Sequence, residues 1–210
     1  DWENSWKQYY QPLAIGRRLL VVPEWLDPEN PDGRITVRLD PGMIFGTGQH
    51  ASTRMCMEAL ENAIRGGETV LDLGSGSGIL SIAALQLGAK STAGVDIDPK
   101  AEDIARENAA MNGIGADRFT AMTANVLGDH SPLSHLYHKC DVVLANIVAD
   151  VIIPLAPVVP EFLADGGTFI CSGILQTRLS EVERAIAAAG LRVTERRTED
   201  DWAALTAVRA

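Results

Sequence analysis

The segment Val70-Leu-Asp-Leu-Gly74-Ser-Gly76-Ser-Gly78-Ile-Leu80 constrains the fold of this chain more than any other. An apolar run, Thr69–Leu73, ends on three glycines at alternate positions. A helical pattern over Ile79–Leu87 follows, with Gly88 after it. A buried strand that turns through glycine into a helix offers backbone to a ligand at the carboxyl end of a sheet. Glycine is needed there where a Cβ would block the approach or where φ must be positive. The spacing is informative. A dinucleotide loop needs Gly-x-Gly-x-x-Gly, but its third slot is Ile79 counted from Gly74 and Ser81 counted from Gly76. No Gly-Lys-Ser/Thr follows, so a Walker phosphate loop is excluded as well.

The rest of the chain alternates around this unit. Strands are expected at Ser91–Val95, Arg118–Thr123, Asp141–Ala145 and Thr168–Ser172. Helices are expected at Pro99–Met111, in a proline-broken stretch ending at Leu163, and at Gln176–Ala189. Such alternation implies an α/β fold whose doubly wound, mostly parallel sheet is covered on both faces. The last two strands, Leu191–Thr198 and Trp202–Val208, read as a hairpin that adds an antiparallel strand. Upstream, Leu19–Val22 and Arg34–Leu39 read as short strands separated by the turn Asp27-Pro-Glu-Asn-Pro-Asp-Gly33. A glycine-punctuated loop from Asp40 leads to a helix over Ala51–Ile64, closed by Gly66-Gly67. Trp2, Trp6 and Tyr9 or Tyr10 fall on one helix face, which either docks on the domain or forms a linker or a substrate-facing platform.

Two acids stand beside the glycine loop. Asp96, at the end of the second core strand, is placed to take two ribose hydroxyls. Asp98 is expected to turn toward the cap of the next helix. Asp72, just before the loop, suits a cationic ligand part better than a phosphate. The acid, the three glycines and the second-strand Asp together resemble the class I S-adenosylmethionine-dependent methyltransferases. That resemblance implies S-adenosyl-L-methionine as cofactor. It also implies a Rossmann-like sheet of seven strands with the last strand antiparallel.

Two more segments narrow the resemblance: Asp40-Pro-Gly-Met-Ile-Phe45-Gly46-Thr47-Gly48-Gln49-His50-Ala51-Ser52-Thr53 and Asp141-Val-Val-Leu-Ala-Asn146-Ile-Val-Ala149. They are similar to those of the ribosomal protein L-eleven methyltransferases, which methylate amines of a large-subunit ribosomal protein. Asp1-Trp-Glu-Asn-Ser-Trp6-Lys resembles that family's linker between a recognition domain and the catalytic domain. The chain departs from the family at Ala51-Ser52, where Pro-Thr is usual, and at Val148, where Leu is usual. On this reading, residues 1–50 hold a linker helix, short strands and a cofactor-covering loop, and residues 51–210 the catalytic domain. The chain begins at Asp1 rather than Met, so an upstream recognition domain is expected outside it.

The cofactor site expected from the resemblance comprises Thr53, Asp72, Gly74, Gly76, Gly78, Asp96 and Asn146, with Phe45 and Gly46 from the covering loop. Asn125 is added from topology, to meet the adenine edge. Phe45 and His50 are assigned to the substrate entrance, His50 with a cap or packing role equally open. Asn146 ends the fourth core strand, where its carbonyl oxygen can accept a bond from an incoming amine and aim the nitrogen lone pair at the methyl group. A strand-end Asn that caps the next helix is the alternative. Many methyltransferases of planar nitrogens carry Asn-Pro-Pro-aromatic at this position. The run Asn146-Ile-Val-Ala lacks that aromatic, which favours an aliphatic amine.

Composition bounds the partners. With 28 acidic against 18 basic residues, the formal net charge of −10 disfavours direct nucleic-acid binding and suits a basic protein partner. No apolar run reaches the ~18 residues of a membrane span. Three scattered cysteines suggest neither disulfides nor a thiolate zinc site, so a reducing cytoplasm is expected, together with a monomer. His130, His135 and His138 are expected to be solvated rather than to hold a metal. The competing readings are another protein or small-molecule N-methyltransferase, and a non-catalytic cofactor-binding module.

Overall fold

The computed structural model describes residues 11–39 and 49–210, with Gln49 and His50 described by their backbone alone. The aromatic face of Trp2, Trp6, Tyr9 and Tyr10, and the loop residues Phe45, Gly46 and Gly48, lie outside the described residues.

A small sheet comes first: β1 (Leu13–Ile15), β2 (Leu19–Pro23) and β3 (Ile35–Leu39). β1 pairs antiparallel with β2, and β2 pairs parallel with β3. The sequence pattern pointed to β2 and β3 but not to β1, whose three residues are too few to show an alternation. Helix α1 (Gln49–Ala63) carries this sheet. Glu61, near the end of α1, accepts the backbone N–H groups of Arg17 and Arg18 at 3.0 Å each and of Leu19 at 3.3 Å. One buried carboxylate thus clamps the β1–β2 turn.

The main sheet has seven strands: β4 (Thr69–Leu73), β5 (Ser91–Asp96), β6 (Phe119–Thr123), β7 (Cys140–Asn146), β8 (Leu163–Leu175), β9 (Leu191–Glu199) and β10 (Trp202–Arg209). Their order is β6-β5-β4-β7-β8-β10-β9. β10 inserts antiparallel between β8 and β9, and β4 through β8 pair in parallel. The class I methyltransferase arrangement is therefore realised, with the terminal hairpin supplying the antiparallel strand. Helices α2 (Ile79–Gln86), α3 (Lys100–Met111), α4 (Ala149–Leu155), α5 (Val159–Phe162) and α6 (Leu179–Ala188) connect the strands.

Alternation along the strands divides the core into two layers. Val70, Val142, Leu144 and Ile170 pack with α1 and α2 on one face. Leu71, Leu73, Val143, Ala145, Phe169 and Cys171 pack on the other face with Ile152, Phe162, Val182 and Ile186 from α4, α5 and α6. All three cysteines are buried free thiols. The strand order reverses between β4 and β7, and a crevice opens at their carboxyl ends.

Of the histidines expected to be solvated, His135 and His138 are exposed, whereas His130 is half-buried. His130 Nε2 lies 2.7 Å from Glu161 Oε2, and its ring sits 5.8 Å from both Tyr137 and Phe162. Among the described residues, no group of three or more His, Cys, Asp or Glu side chains is placed to hold a metal ion. Nor is any helix among them long and apolar enough to cross a membrane.

Candidate functional site

The glycine loop joins β4 to α2. Gly74, Gly76 and Gly78 all take positive φ, at 73°, 50° and 81°. A Cβ on Gly74 would stand 2.5 Å from Ile147 Cγ2, and one on Gly78 would stand 3.0 Å from Ala105 Cβ. A Cβ on Gly76 would meet nothing within 4 Å, because that position faces the crevice. Four of the loop's amides have partners within the protein. Gly74 and Ser75 donate to Val95 O at 2.8 and 3.0 Å, Gly76 to Asp96 Oδ2 at 2.8 Å, and Gly78 to Ser75 O at 2.8 Å. These four N–H groups are therefore not offered to a ligand.

Asp96 ends β5 with both carboxylate oxygens oriented. Oδ2 accepts Gly76 N–H, and Oδ1 accepts Asp98 N–H at 2.9 Å. A carboxylate offers about four lone-pair positions, so roughly two remain for a diol. Asp98 turns to the start of α3 as expected, its Oδ1 accepting Lys100 N–H at 3.0 Å.

Two hollows meet at Gly74 and Asp96. The first, about 400 Å³, is bounded by Thr53, the loop from Gly74 to Ser77, Asp96 and Asn146. The second, about 310 Å³, is walled by Leu73, Val95, Ile97, Val126, Ile147 and Val151, with Asn125 at its edge. Ile97 is 70% exposed, a large apolar side chain left in solvent beside an apolar hollow. It went unnoticed in the sequence, although its place directly after Asp96 was a usable signal. Asn125 does line this hollow, with its Oδ1 accepting Leu127 N–H at 3.2 Å.

Asp72 sits apart from both walls. It is 1% exposed beneath the loop, and Ser81 Oγ donates to its Oδ2 at 2.8 Å. Burial pushes its carboxyl up to about 6, with Ser81 opposing and the Asp96 charge adding to the rise.

Asn146, at the end of β7, donates from Nδ2 to Thr53 Oγ1 at 3.3 Å. Thr53 reaches it from the first turns of α1. The side chain is also shared with a small cavity of about 60 Å³ lined by Ser52, Ile147, Val148, Gly173 and Trp202. The Asn146 amide oxygen lies on the Gly173 side, where a Cβ on Gly173 would stand 3.1 Å from it. Trp202, opposite Leu175 at the start of β10, therefore supplies an aromatic wall that the Asn146-Ile-Val-Ala run does not contain. Its distance of over fifty positions from Asn146 in the chain hid it from motif reading. The structure thus brings together Thr53, Gly74, Gly76, Asp96, Asn125 and Asn146. Gly78 braces α3 from behind the loop. The His50 side chain lies outside what is described.

The profile of the family described as "Ribosomal protein L11 methyltransferase (PrmA)" matches residues 1–210. The chain is 44% identical over 202 residues to a ribosomal protein L11 methyltransferase of Desulforamulus reducens, covering 96% of this chain and 63% of that protein. It is 44% identical over 207 residues to the protein of the same description from Pelotomaculum thermopropionicum, covering 99% of this chain and 65% of the relative. The chain thus spans just under two thirds of these relatives. A crystal structure of ribosomal protein L11 methylase from Lactobacillus delbrueckii subsp. bulgaricus superimposes with a TM-score of 0.84 at 34% identity, covering 96% of this chain and 98% of that one.

Proposed function

Because the chain belongs to the ribosomal protein L11 methyltransferase family, we propose that it is the catalytic part of an S-adenosylmethionine-dependent protein N-methyltransferase, acting on lysine or N-terminal amines of a large-subunit ribosomal protein in the cytoplasm. The observation that carries this reading is the position of Asn146, a wall shared by the loop-side hollow and the small cavity beside Trp202. A group there touches both a methyl donor on one side and an acceptor on the other.

The residues fit the cofactor. Asp96 keeps lone pairs for a ribose diol, and the hollow beside Ile97 and Val126 suits a flat adenine. The loop lacks the Gly-x-Gly-x-x-Gly spacing of a dinucleotide site. The cofactor supplies an electrophilic sulfonium methyl; the chain supplies position. Asn146 Oδ1 accepts an amine N–H, and this orients the nitrogen lone pair for in-line attack. Trp202 packs its ring on the alkyl stem of a lysine and favours the cationic product. Among the described residues the cavity has one aromatic wall, Trp202, and its other walls are aliphatic or small, which suits an aliphatic amine.

The amine must lose its proton first. A lysine with pKa ~10.4 is neutral about once in 2,500 molecules at pH 7. Desolvation in the cavity and the neighbouring sulfonium charge both shift it toward the neutral form. Among the described residues lining the cavity none is a dedicated base, so proximity and orientation carry the catalysis. Incubation of the full-length enzyme with labelled cofactor and purified ribosomal proteins, read by mass spectrometry, tests the reading. Label on one large-subunit protein is expected. Label on none of them, with transfer to a metabolite pool, would overturn it.

A further inference from the structure

Ser172 stands near the end of β8, fully buried. It is not part of the walls of either hollow or of the small cavity. Its Oγ donates to the Ser52 carbonyl at 2.7 Å, a bond between residues 120 positions apart. That bond fixes the first turns of α1 against the sheet. The next residue of α1, Thr53, takes the Asn146 Nδ2 hydrogen. The next residue of β8, Gly173, has φ 82° and leaves its Cα bare against the Asn146 oxygen. Adjacent pairs, Ser52-Thr53 and Ser172-Gly173, thus grip one amide from two sides.

The Asn146 side chain is held in place by the Thr53 hydroxyl, and Thr53 is held in place by the bond that ties Ser52 to Ser172. We propose that Ser172, acting through Ser52 and Thr53, is a positioning residue that keeps the Asn146 amide at the junction of the cofactor hollow and the acceptor cavity. Thr53 has the same duty in addition to its place beside the cofactor hollow. This inference rests on the reading of Asn146 as the group that receives the amine.

The test is a double-mutant cycle in the full-length enzyme with a purified large-subunit ribosomal protein as substrate. Ser172→Ala and Thr53→Val are each expected to lower kcat at saturating cofactor and substrate by roughly five- to twentyfold, and Thr53→Ser to restore most of the Thr53→Val loss. Cofactor Kd of Ser172→Ala should stay within about twofold of wild type. In an Asn146→Ala background, Ser172→Ala should cost nothing further, because the group it positions is gone. A purely structural serine would lower Tm and act equally in both backgrounds. Wild-type kcat in Ser172→Ala, or the same fold loss with and without Asn146, would overturn the proposal while leaving the Asn146 reading intact. If Ser172→Ala fails to fold, Ser172→Cys, which keeps the size of the side chain and weakens its bond to Ser52, is run through the same cycle with the same two outcomes. Undiminished kcat in Asn146→Ala alone would remove the functional reading, and this inference with it.

Discussion

Asp96 Oδ2 accepts the Gly76 N–H at 2.8 Å, which ties the end of β5 to the middle of the glycine loop. The residue therefore has two duties, holding the loop and holding a diol. Asp96→Ala should weaken S-adenosylmethionine binding by about 1.5–3 kcal/mol, the range for bonds to a charged acceptor. Calorimetry measures this directly. Equal affinity in the variant would exclude the ribose role.

Gly74 and Gly76 should fail in different ways. Alanine at 74 meets Ile147 Cγ2 at 2.5 Å and takes a strained φ of 73°, so about 1–3 kcal/mol of stability should be lost. Alanine at 76 meets no neighbour, so its folding cost is the backbone strain of about 1–2 kcal/mol. Its methyl instead enters the cofactor hollow. Thermal melts should separate wild type from Gly74→Ala more than from Gly76→Ala, and cofactor titrations should rank them the other way.

Asp72 predicts a pH dependence. Its folded pKa of about 6 lies above the ordinary value of 3.8. The folded protein binds this proton more tightly than the unfolded chain, so the neutral carboxyl stabilises the fold in full below about pH 3.8 and that contribution is lost as pH rises through about 6. Asp72 lines neither hollow, so the effect is read in stability. Thermal melts of the wild type should lose stability as pH rises from about 4 to about 7, and Asp72→Asn, which cannot ionise, should flatten that slope. An equal slope in the variant would remove Asp72 as its source.

Glu61 clamps three backbone N–H groups of the β1–β2 turn. Glu61→Ala should cost about 2–3 kcal/mol, since it leaves donors unpaired where their acceptor was charged. Hydrogen exchange at Arg17, Arg18 and Leu19 should rise selectively. Unchanged protection there would show that the turn holds without the clamp.

Local pattern made much of this molecule legible. The alternation of apolar strands with helical stretches gave β4 to β10 in order, because each element carries its own periodicity over five or more residues. The glycine loop and Asp96 were equally readable, since three glycines and a strand-end acid are local signals, although Val95 and Asp96 of the next strand hold the loop in place. What stayed hidden depends on tertiary closure. Trp202 reaches Asn146 only after β10 inserts beside β8. The Ser172–Ser52 bond spans 120 positions and involves residue types with no motif of their own. The parallel pairing of β2 with β3 was also unreadable, because a turn-rich link of any kind between two short strands suits either direction.

The most direct test of the account is single-turnover methyl transfer by Asn146→Ala. Cofactor affinity, measured by calorimetry, should stay near that of wild type, because Asp96 and the loop are intact. The rate of methyl transfer to the ribosomal protein at saturating substrate should fall more than about tenfold, the loss of one orienting contact in the transition state. A variant that transfers methyl at the wild-type rate would contradict the claim that Asn146 receives and aims the amine.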